Sequence, residues 1–342
     1  MRRPVPGARQ DRAGCPPGDG YPWGMPSSAP PGRFGTVVTA MVTPFGADGS
    51  LDVDGAVDLA RWLVANGSDG LVVAGTTGEA SVLDDREKLA LWEAVAGAVT
   101  VPVVAGTGSN DTDHSVRLTR AAGATGIAGV LVVTPYYNRP SQDGLRRHFT
   151  AVADATSLPV MLYDIPVRSG RRIAAGTLLG LARDVANIVA VKDATGDVVN
   201  ASRVVAGAPA GFELYSGDDA YTLPLLAVGA VGVVSVSAHW IGRRLGAMIA
   251  AFRAGDVAGA ARANASLLDA MAFQTSDDAP NPLPAKAMCR ALGLPAGQCR
   301  LPMGPAPDGL DERARLLVEH LGLVPSTGAH AAGPLGSGSS VA

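Results

Sequence analysis

The segment NIVAVKDATGD, residues 187–197, joins an apolar run to a charged side chain and a turn. Ile188 to Val191 have the composition of a short strand that is covered on both faces. Lys192 then ends the run. The chain contains only three lysines, at positions 88, 192 and 286, and its basic charge is otherwise carried by arginine. A lysine at the end of a buried strand therefore needs an explanation.

The same order of apolar strand, turn and helix repeats along the chain. Seven further segments are typical of strands: 35–43, 69–75, 101–106, 128–134, 158–164, 212–217 and 231–237. Helical segments separate them: 53–67, 84–99, 111–123, 141–155, 175–183, 197–207 and 218–228. Short continuous apolar strands indicate a parallel sheet with both faces covered.

Eight such units in about 220 residues favour a closed (β/α)8 TIM barrel over an open doubly wound sheet. The open sheet usually carries a GxGxxG turn after its first strand, and TPFGADG stands in that place here. We predict a barrel over residues 33–254 and an appended C-terminal helical region over 255–323. Residues 1–32 and 324–342 are rich in glycine and proline or serine, which predicts a disordered N-terminal extension and a disordered tail.

Composition excludes several classes of function. The net charge is −3 and no long basic run is present, which argues against nucleic acid or an anionic membrane as a partner. No apolar run approaches the roughly 18 residues of a membrane helix, and no secretory signal is recognisable. The three cysteines lack CxxC spacing, which predicts a reducing, cytoplasmic location. The histidines show no HxxxH or HxH spacing and no GxxxxGK[ST] loop occurs, so we expect no metal site and no nucleoside triphosphate site.

The chemistry of such a barrel lies where its strands end. The strand ends carry GTTGE (75–79), TPYYNRP (134–140), YDIPVRSG (163–170), Lys192 and SGDD (216–219). An amine in a dry pocket has a lowered pKa and can attack a carbonyl as a neutral nucleophile. A tyrosine can then move the protons, and a glycine-rich turn can bind a carboxylate through backbone N–H groups and hydroxyls.

Each of these groups also has an ordinary structural interpretation. A lone lysine is more often solvated or ion-paired. Paired tyrosines are usually core residues whose hydroxyl groups reach solvent. GTTGE alone is consistent with a tight turn. Arg168 alone is consistent with a surface ion pair. The catalytic interpretation gains weight because all these groups fall on one face of the predicted barrel.

Six separated motifs carry a family resemblance: GTTGE, VTPYYNRPSQDGLRRHF, LYDIPVRSG, VKDATGD, YSGDD and PNPLPAKAMCRALGL. Together they resemble the dihydrodipicolinate synthases, a family within the pyruvate-dependent class I aldolases that also include N-acetylneuraminate lyase. The likeness spans about residues 35–323. It implies a homotetramer built as a dimer of dimers, a role in lysine and diaminopimelate biosynthesis, and no metal or organic cofactor.

The resemblance also implies catalytic roles. Lys192 would form a Schiff base with pyruvate, and Tyr163 would transfer protons. Thr76 and Tyr137 would complete a proton relay with Tyr163, with Tyr137 donated by a neighbouring subunit.

Binding roles follow from the same resemblance. Thr77 would bind the pyruvate carboxylate, and Val234 would line the pyruvate pocket through its backbone. Arg168 would hold the carboxylate of the second substrate, aspartate 4-semialdehyde.

Two alternatives remain open at the level of sequence. A sister aldolase with another aldehyde or 2-oxo acid would share Lys192 and Tyr163, although Arg168 and the paired tyrosines at 136 and 137 argue against it. A non-catalytic barrel would not require the complete set of polar residues.

Some relatives are inhibited by free lysine in a cleft between subunits, and the matching positions here are Ser81, Asp85, Lys88, Asn110, His114 and Tyr136. The lysine-sensitive form has glutamate where His114 stands and histidine where Asp85 and Lys88 stand. We therefore expect weak or absent inhibition by lysine.

Overall fold

The structure is a computed structural model that describes residues 32–326. The two end segments for which disorder is predicted lie outside this range, apart from Gly32 and residues 324–326. Eight parallel strands hydrogen-bond in sequence order and close into a barrel, which confirms the predicted TIM barrel. The strands are β1 (Val37–Ala40), β2 (Gly70–Val73), β3 (Val103–Gly106), β4 (Gly129–Val133), β5 (Val160–Asp164), β6 (Ile188–Asp193), β7 (Glu213–Ser216) and β8 (Gly232–Ser235).

Helices cover the outside of the barrel and continue beyond it. They are α1 (Val53–Ala65), α2 (Asp85–Ala98), α3 (Thr112–Ala122), α4 (Gln142–Ala153), α5 (Pro166–Ser169), α6 (Ala175–Asp184), α7 (Val198–Gly207), α8 (Thr222–Ala227), α9 (Ala238–Arg253), α10 (Val257–Ala272), α11 (Leu283–Ala291) and α12 (Leu310–His320). Side chains of Asp52, Asp84, Asp111, Ser141 and Asp197 accept from backbone N–H groups in the first turns of their helices, and so these helices begin where the sequence has short polar residues.

Two segments differ from the sequence-based prediction. The helix predicted over 218–228 is divided into a short 3₁₀ turn, Asp219–Tyr221, and α8. The side chain of Asp218 accepts from the backbone N–H of Ala220 and thereby favours this tight turn. The one-turn helix α5 was not predicted; Pro166 occupies its first position, and Gly170 ends it in the left-handed region at φ 69°.

Side chains alternate between the barrel interior and the layer under the helices. Ala190 packs in the interior cluster, whereas Val191 packs in the outer one. Strand periodicity therefore directs Lys192 inward. Lys192 pairs in register with Tyr163 on one side and with Tyr215 on the other, so its neighbours in the barrel are two aromatic residues.

The C-terminal helices share the outer apolar core with the barrel. Met271, Met288 and Leu310 belong to the same buried cluster as the residues between barrel and helices. The boundary proposed after residue 254 falls in the turn between α9 and α10. The division into a barrel and a C-terminal region stays a proposal.

Candidate active site

Lys192 and Tyr163 form the centre of the candidate site. Both side chains are 4% exposed, and the Lys192 Nζ lies 4.2 Å from the centroid of the Tyr163 ring. Burial lowers the pKa of the Lys192 ammonium to about 8, although the nearby Asp219 carboxylate opposes this shift. The amine is therefore far easier to deprotonate near neutral pH than an ordinary lysine.

Comparison with the other two lysines shows what is particular to Lys192. Lys286 is buried and pairs with Glu79 at 2.5 Å, and Lys88 is buried beside Asp85 at 3.9 Å. Within residues 32–326, Lys192 makes no such ion pair. Two buried lysines thus have structural partners, whereas the third points into the barrel with an available amine.

Tyr163 is prepared to hold and pass on a proton. Burial raises the pKa of its hydroxyl well above the usual range, while Arg168 and a hydrogen bond with the Thr76 side chain act in the opposite direction. The phenol is therefore neutral at physiological pH and connected to Thr76. The structure brings these two predicted relay residues together in one chain.

The structure does not bring Tyr137 into the pocket of its own chain. Its side chain is 91% exposed, and its backbone is in the left-handed region at φ 72°, which is costly for an aromatic residue. The turn is fixed from both sides, because Asn138 donates to the Asn110 carbonyl and Arg139 donates to the Gly170 carbonyl. The surrounding contacts thus hold Tyr137 outward on a defined turn.

Thr77 and Arg168 come from different strand ends and meet at one residue of the C-terminal region. Asn281 Nδ2 donates to Thr77 Oγ1 at 3.0 Å. The Arg168 guanidinium donates to the Asn281 backbone carbonyl at 3.1 Å. The predicted carboxylate-binding groups are thereby linked, and Asn281 is a residue to which sequence reasoning assigned no role.

Val234 lies inside the barrel, where it is 1% exposed and packs in the interior cluster that also contains Tyr163. It pairs with Val38 of the neighbouring strand. Its position fits a wall of the pocket, and its backbone role stays a prediction.

Two buried acidic residues complete the surroundings of the site. Asp219 accepts hydrogen bonds from the side chains of Ser235 and Ser237 and from the backbone of Val236 and Ser237, so it fixes the end of β8. Glu79 pairs with Lys286 and accepts from the Arg300 backbone N–H at 2.9 Å. The motifs SGDD and GTTGE were visible in the sequence, but their partners were not: those of Asp219 lie 16–18 positions away, and Arg300, a partner of Glu79, lies 221 positions away.

A cleft of about 700 Å³ opens next to these residues. One part is lined by Thr76, Tyr163 and Arg168. The other part is lined by all of the positions that match the lysine cleft of some relatives, namely Ser81, Asp85, Lys88, Asn110, His114 and Tyr136. The candidate site and this second region are therefore continuous.

The described part of the chain offers neither a metal-binding cluster nor a membrane-spanning helix. Residues 32–326 contain no group of three or more histidine, cysteine or acidic side chains placed to hold a metal ion. No helix in the same range is long and apolar enough to cross a membrane.

Comparison with known proteins identifies the family. The model of the dihydrodipicolinate synthetase family matches residues 33–320. The chain belongs to this family. It is 51% identical over 296 residues to the 4-hydroxy-tetrahydrodipicolinate synthase of Moorella thermoacetica, which covers 85% of this chain and 100% of that protein.

Solved structures of dihydrodipicolinate synthases share the fold. The enzyme of Bacillus anthracis superposes with a TM-score of 0.80 at 43% identity, covering 84% of this chain and 98% of that one. The lysine-bound enzyme of Cyanidioschyzon merolae gives 0.82 at 41% identity, covering 86% and 100%. The family resemblance and the predicted fold are therefore confirmed, while the roles of individual site residues stay proposals.

Proposed function

We propose that this chain is a 4-hydroxy-tetrahydrodipicolinate synthase, which condenses pyruvate with L-aspartate 4-semialdehyde in lysine and diaminopimelate biosynthesis. The observation that carries the proposal is the buried Lys192 amine, which has a lowered pKa and no ion-pair partner in the described residues, beside the Tyr163 phenol. This arrangement occurs in a chain of the dihydrodipicolinate synthetase family. The name of the Moorella relative supports the same activity.

The first half of the reaction uses Lys192 as nucleophile. Its neutral amine attacks the pyruvate carbonyl carbon, and loss of water gives a protonated imine. The imine withdraws electrons from the adjacent methyl carbon, which loses a proton to become an enamine. Tyr163 carries protons in these steps through Thr76, and Thr77 holds the pyruvate carboxylate.

The second half joins the two substrates. Arg168 holds the carboxylate of aspartate semialdehyde, and the enamine carbon attacks its aldehyde carbon to form the new carbon–carbon bond. The aldehyde oxygen takes a proton and becomes the 4-hydroxyl group. The substrate amine then attacks the imine carbon, closes the ring and releases the Lys192 amine. The atoms and electrons of these reaction steps balance without a metal or an organic cofactor.

We also propose that the working enzyme is a homotetramer. The outward Tyr137 supports an assembly of at least two copies, because the proposed relay of Thr76 and Tyr163 would take that hydroxyl from a second copy. The pairing of two such dimers rests on the family resemblance. Cytoplasmic location is proposed on a separate ground. Cys289 and Cys299 are free and buried, which suits a reducing compartment.

Borohydride trapping tests the imine. Treatment with pyruvate and borohydride is expected to place one reduced pyruvate adduct on the peptide that contains Lys192. The matched controls are present in the same chain, because Lys88 and Lys286 are also buried. An adduct on either control peptide, or no adduct, would contradict the proposal.

A panel of aldehydes tests the second substrate. Aspartate semialdehyde is expected to give the highest kcat/KM among short aldehydes and sugar-derived aldehydes offered with pyruvate. A higher value with another aldehyde would identify a sister aldolase instead, while the trapping result would still stand.

A further inference from the structure

Asn281 occupies an unusual position between two groups that are proposed to bind substrate. It lies just before α11, is 7% exposed and donates through Nδ2 to the Thr77 hydroxyl. Its backbone carbonyl accepts from the Arg168 guanidinium. One residue of the C-terminal region therefore contacts groups that follow β2 and β5.

The direction of the hydrogen bond with Thr77 has a chemical consequence. A threonine hydroxyl has one proton to donate and two lone pairs to accept with. Because the Asn281 amide donates to the oxygen, the Thr77 proton remains available for a carboxylate. The opposite amide orientation would accept that proton and leave Thr77 without a donor for an anion.

We propose that Asn281 is a positioning residue that orients Thr77 for the pyruvate carboxylate through its side chain and holds Arg168 through its backbone. This inference rests on the proposed function and adds a residue to it. Asn281 acts through other groups and does not itself take part in bond making.

The surroundings of Asn281 are built to hold it in place. Its backbone N–H donates to the Thr275 hydroxyl at 3.2 Å. On the helix that follows, Lys286 pairs with Glu79, the last residue of the Gly75–Glu79 turn that carries Thr77. The C-terminal region is thus fixed to that turn at two points, which limits the freedom of the amide.

The second atom of the amide does not compete with this arrangement. Asn281 Oδ1 is buried and has no hydrogen-bond partner among the described residues. The side-chain amide is therefore oriented by the hydrogen bond from Nδ2 to Thr77.

Asn281→Asp is the most informative substitution, because it keeps the shape of the side chain. An ionised aspartate can only accept a hydrogen bond from the Thr77 hydroxyl and cannot donate one. The readout is the pyruvate concentration that gives half-maximal borohydride trapping on Lys192, which does not involve the second substrate. We expect this concentration to rise about tenfold or more, as for loss of a hydrogen bond to a charged group. Asn281→Ala removes the donor without adding charge and is expected to raise it at least about threefold.

Different effects on pyruvate binding and on KM for aspartate semialdehyde distinguish a positioning role from a general loss of active-site structure. KM for aspartate semialdehyde is expected to change less than about twofold in Asn281→Ala, because the backbone carbonyl that holds Arg168 remains. Asn264→Ala, in α10 of the same region, is the matched control and is expected to behave as the wild type. In a Thr77→Val background, Asn281→Ala should have no further effect on half-saturation.

Three results would overturn the inference. The first is an unchanged pyruvate concentration for half-maximal trapping in both Asn281 variants. The second is an equal rise in this concentration and in KM for aspartate semialdehyde. The third is an effect of Asn281→Ala in the Thr77→Val background as large as in the wild type. Melting temperatures of all variants show whether a change is only a loss of folding. No trapping in the wild type would instead contradict the proposed function itself, and this role with it.

Discussion

At the scale of single residues, the environment of Lys192 supports the proposal that its amine is the nucleophile. Its Nζ contacts the face of an aromatic ring, and the acids that act on it, Asp218 and Asp219, are not close enough to form an ion pair. Asp219 is occupied by hydrogen bonds from the end of β8. The amine is therefore desolvated, and no carboxylate in the described part of the chain pairs with it to stabilise its protonated form. These are the conditions that favour a neutral, nucleophilic lysine.

The lowered pKa of Lys192 predicts the pH dependence of imine formation. Its value of about 8 means that the reactive neutral fraction should rise about tenfold per pH unit below 8 and level off above it. The measurement is the initial rate of pyruvate trapping at a fixed low pyruvate concentration between pH 6 and 10. A rate that is already constant at pH 6, or that still rises through pH 10, would contradict this prediction.

Arg168 is predicted to affect the second substrate selectively. Arg168 lines the cleft, is exposed as a residue and, among the described residues, makes one hydrogen bond through its guanidinium, to the Asn281 carbonyl, so it can form a bidentate pair with a carboxylate. Arg168→Ala should raise KM for aspartate semialdehyde about tenfold or more while pyruvate trapping stays within about twofold. Arg183→Ala, at an exposed position of α6, is the control and should leave both constants near the wild type. Equal losses in both steps would indicate a structural role for Arg168.

At the scale of elements, the turn after β2 depends on the C-terminal helices. Glu79 in that turn has its backbone in the left-handed region at φ 56° and pairs with Lys286 of α11. Lys286 also donates to the Gln298 carbonyl at 2.9 Å and lies over the Phe45 ring. The turn that carries Thr76 and Thr77 is thus held from outside the barrel.

Breaking the Glu79–Lys286 pair on one side is predicted to destabilise the protein. A buried charge left without its partner costs about 3–5 kcal/mol. Lys286→Met should therefore lower the melting temperature by several degrees, and Glu79→Gln combined with Lys286→Met should recover part of the loss. Thermal unfolding followed by circular dichroism measures both. A single variant as stable as the wild type would show that the pair contributes little.

At the scale of the whole molecule, the exposed Tyr137 predicts a site shared between copies. Tyr137→Phe and Lys192→Ala chains should each be nearly inactive alone. Mixed and reassembled, they should regain part of the activity, because some sites then combine an intact Lys192 with an intact neighbouring Tyr137. Mass spectrometry of the mixed oligomers verifies the exchange. No recovery despite exchange would argue against a shared site.

The second region of the cleft predicts poor inhibition by free lysine. Asp85 contacts His114 at 2.8 Å and lies 3.9 Å from the Lys88 amine, so its charge is already engaged by two basic groups. Because loss of one charge-assisted contact costs about tenfold to a hundredfold in affinity, half-inhibition is expected only in the millimolar range or above.

A steady-state assay titrated with L-lysine measures this inhibition. His114→Glu is expected to lower the half-inhibitory concentration about tenfold by restoring an anion for the ammonium group. Strong inhibition of the wild type at micromolar lysine would contradict the prediction.

The sequence by itself determined the barrel, its strand order and the position of Lys192 at the end of the sixth strand. The barrel follows from local rules, because strands covered on both faces are continuously apolar and successive parallel units close in order. The structure decided that Lys192 points inward, since a period of two only places it on the same face as Ala190. The six motifs also identified the family, because they occur in the expected order along the chain.

Only the tertiary structure decided what surrounds these residues. Thr77 and Asn281 are 204 positions apart, and Glu79 meets Lys286 across a similar interval. Such contacts depend on how the C-terminal helices pack on the barrel, which no local period encodes. The pKa of Lys192 likewise depends on burial, and burial is a property of the assembled fold.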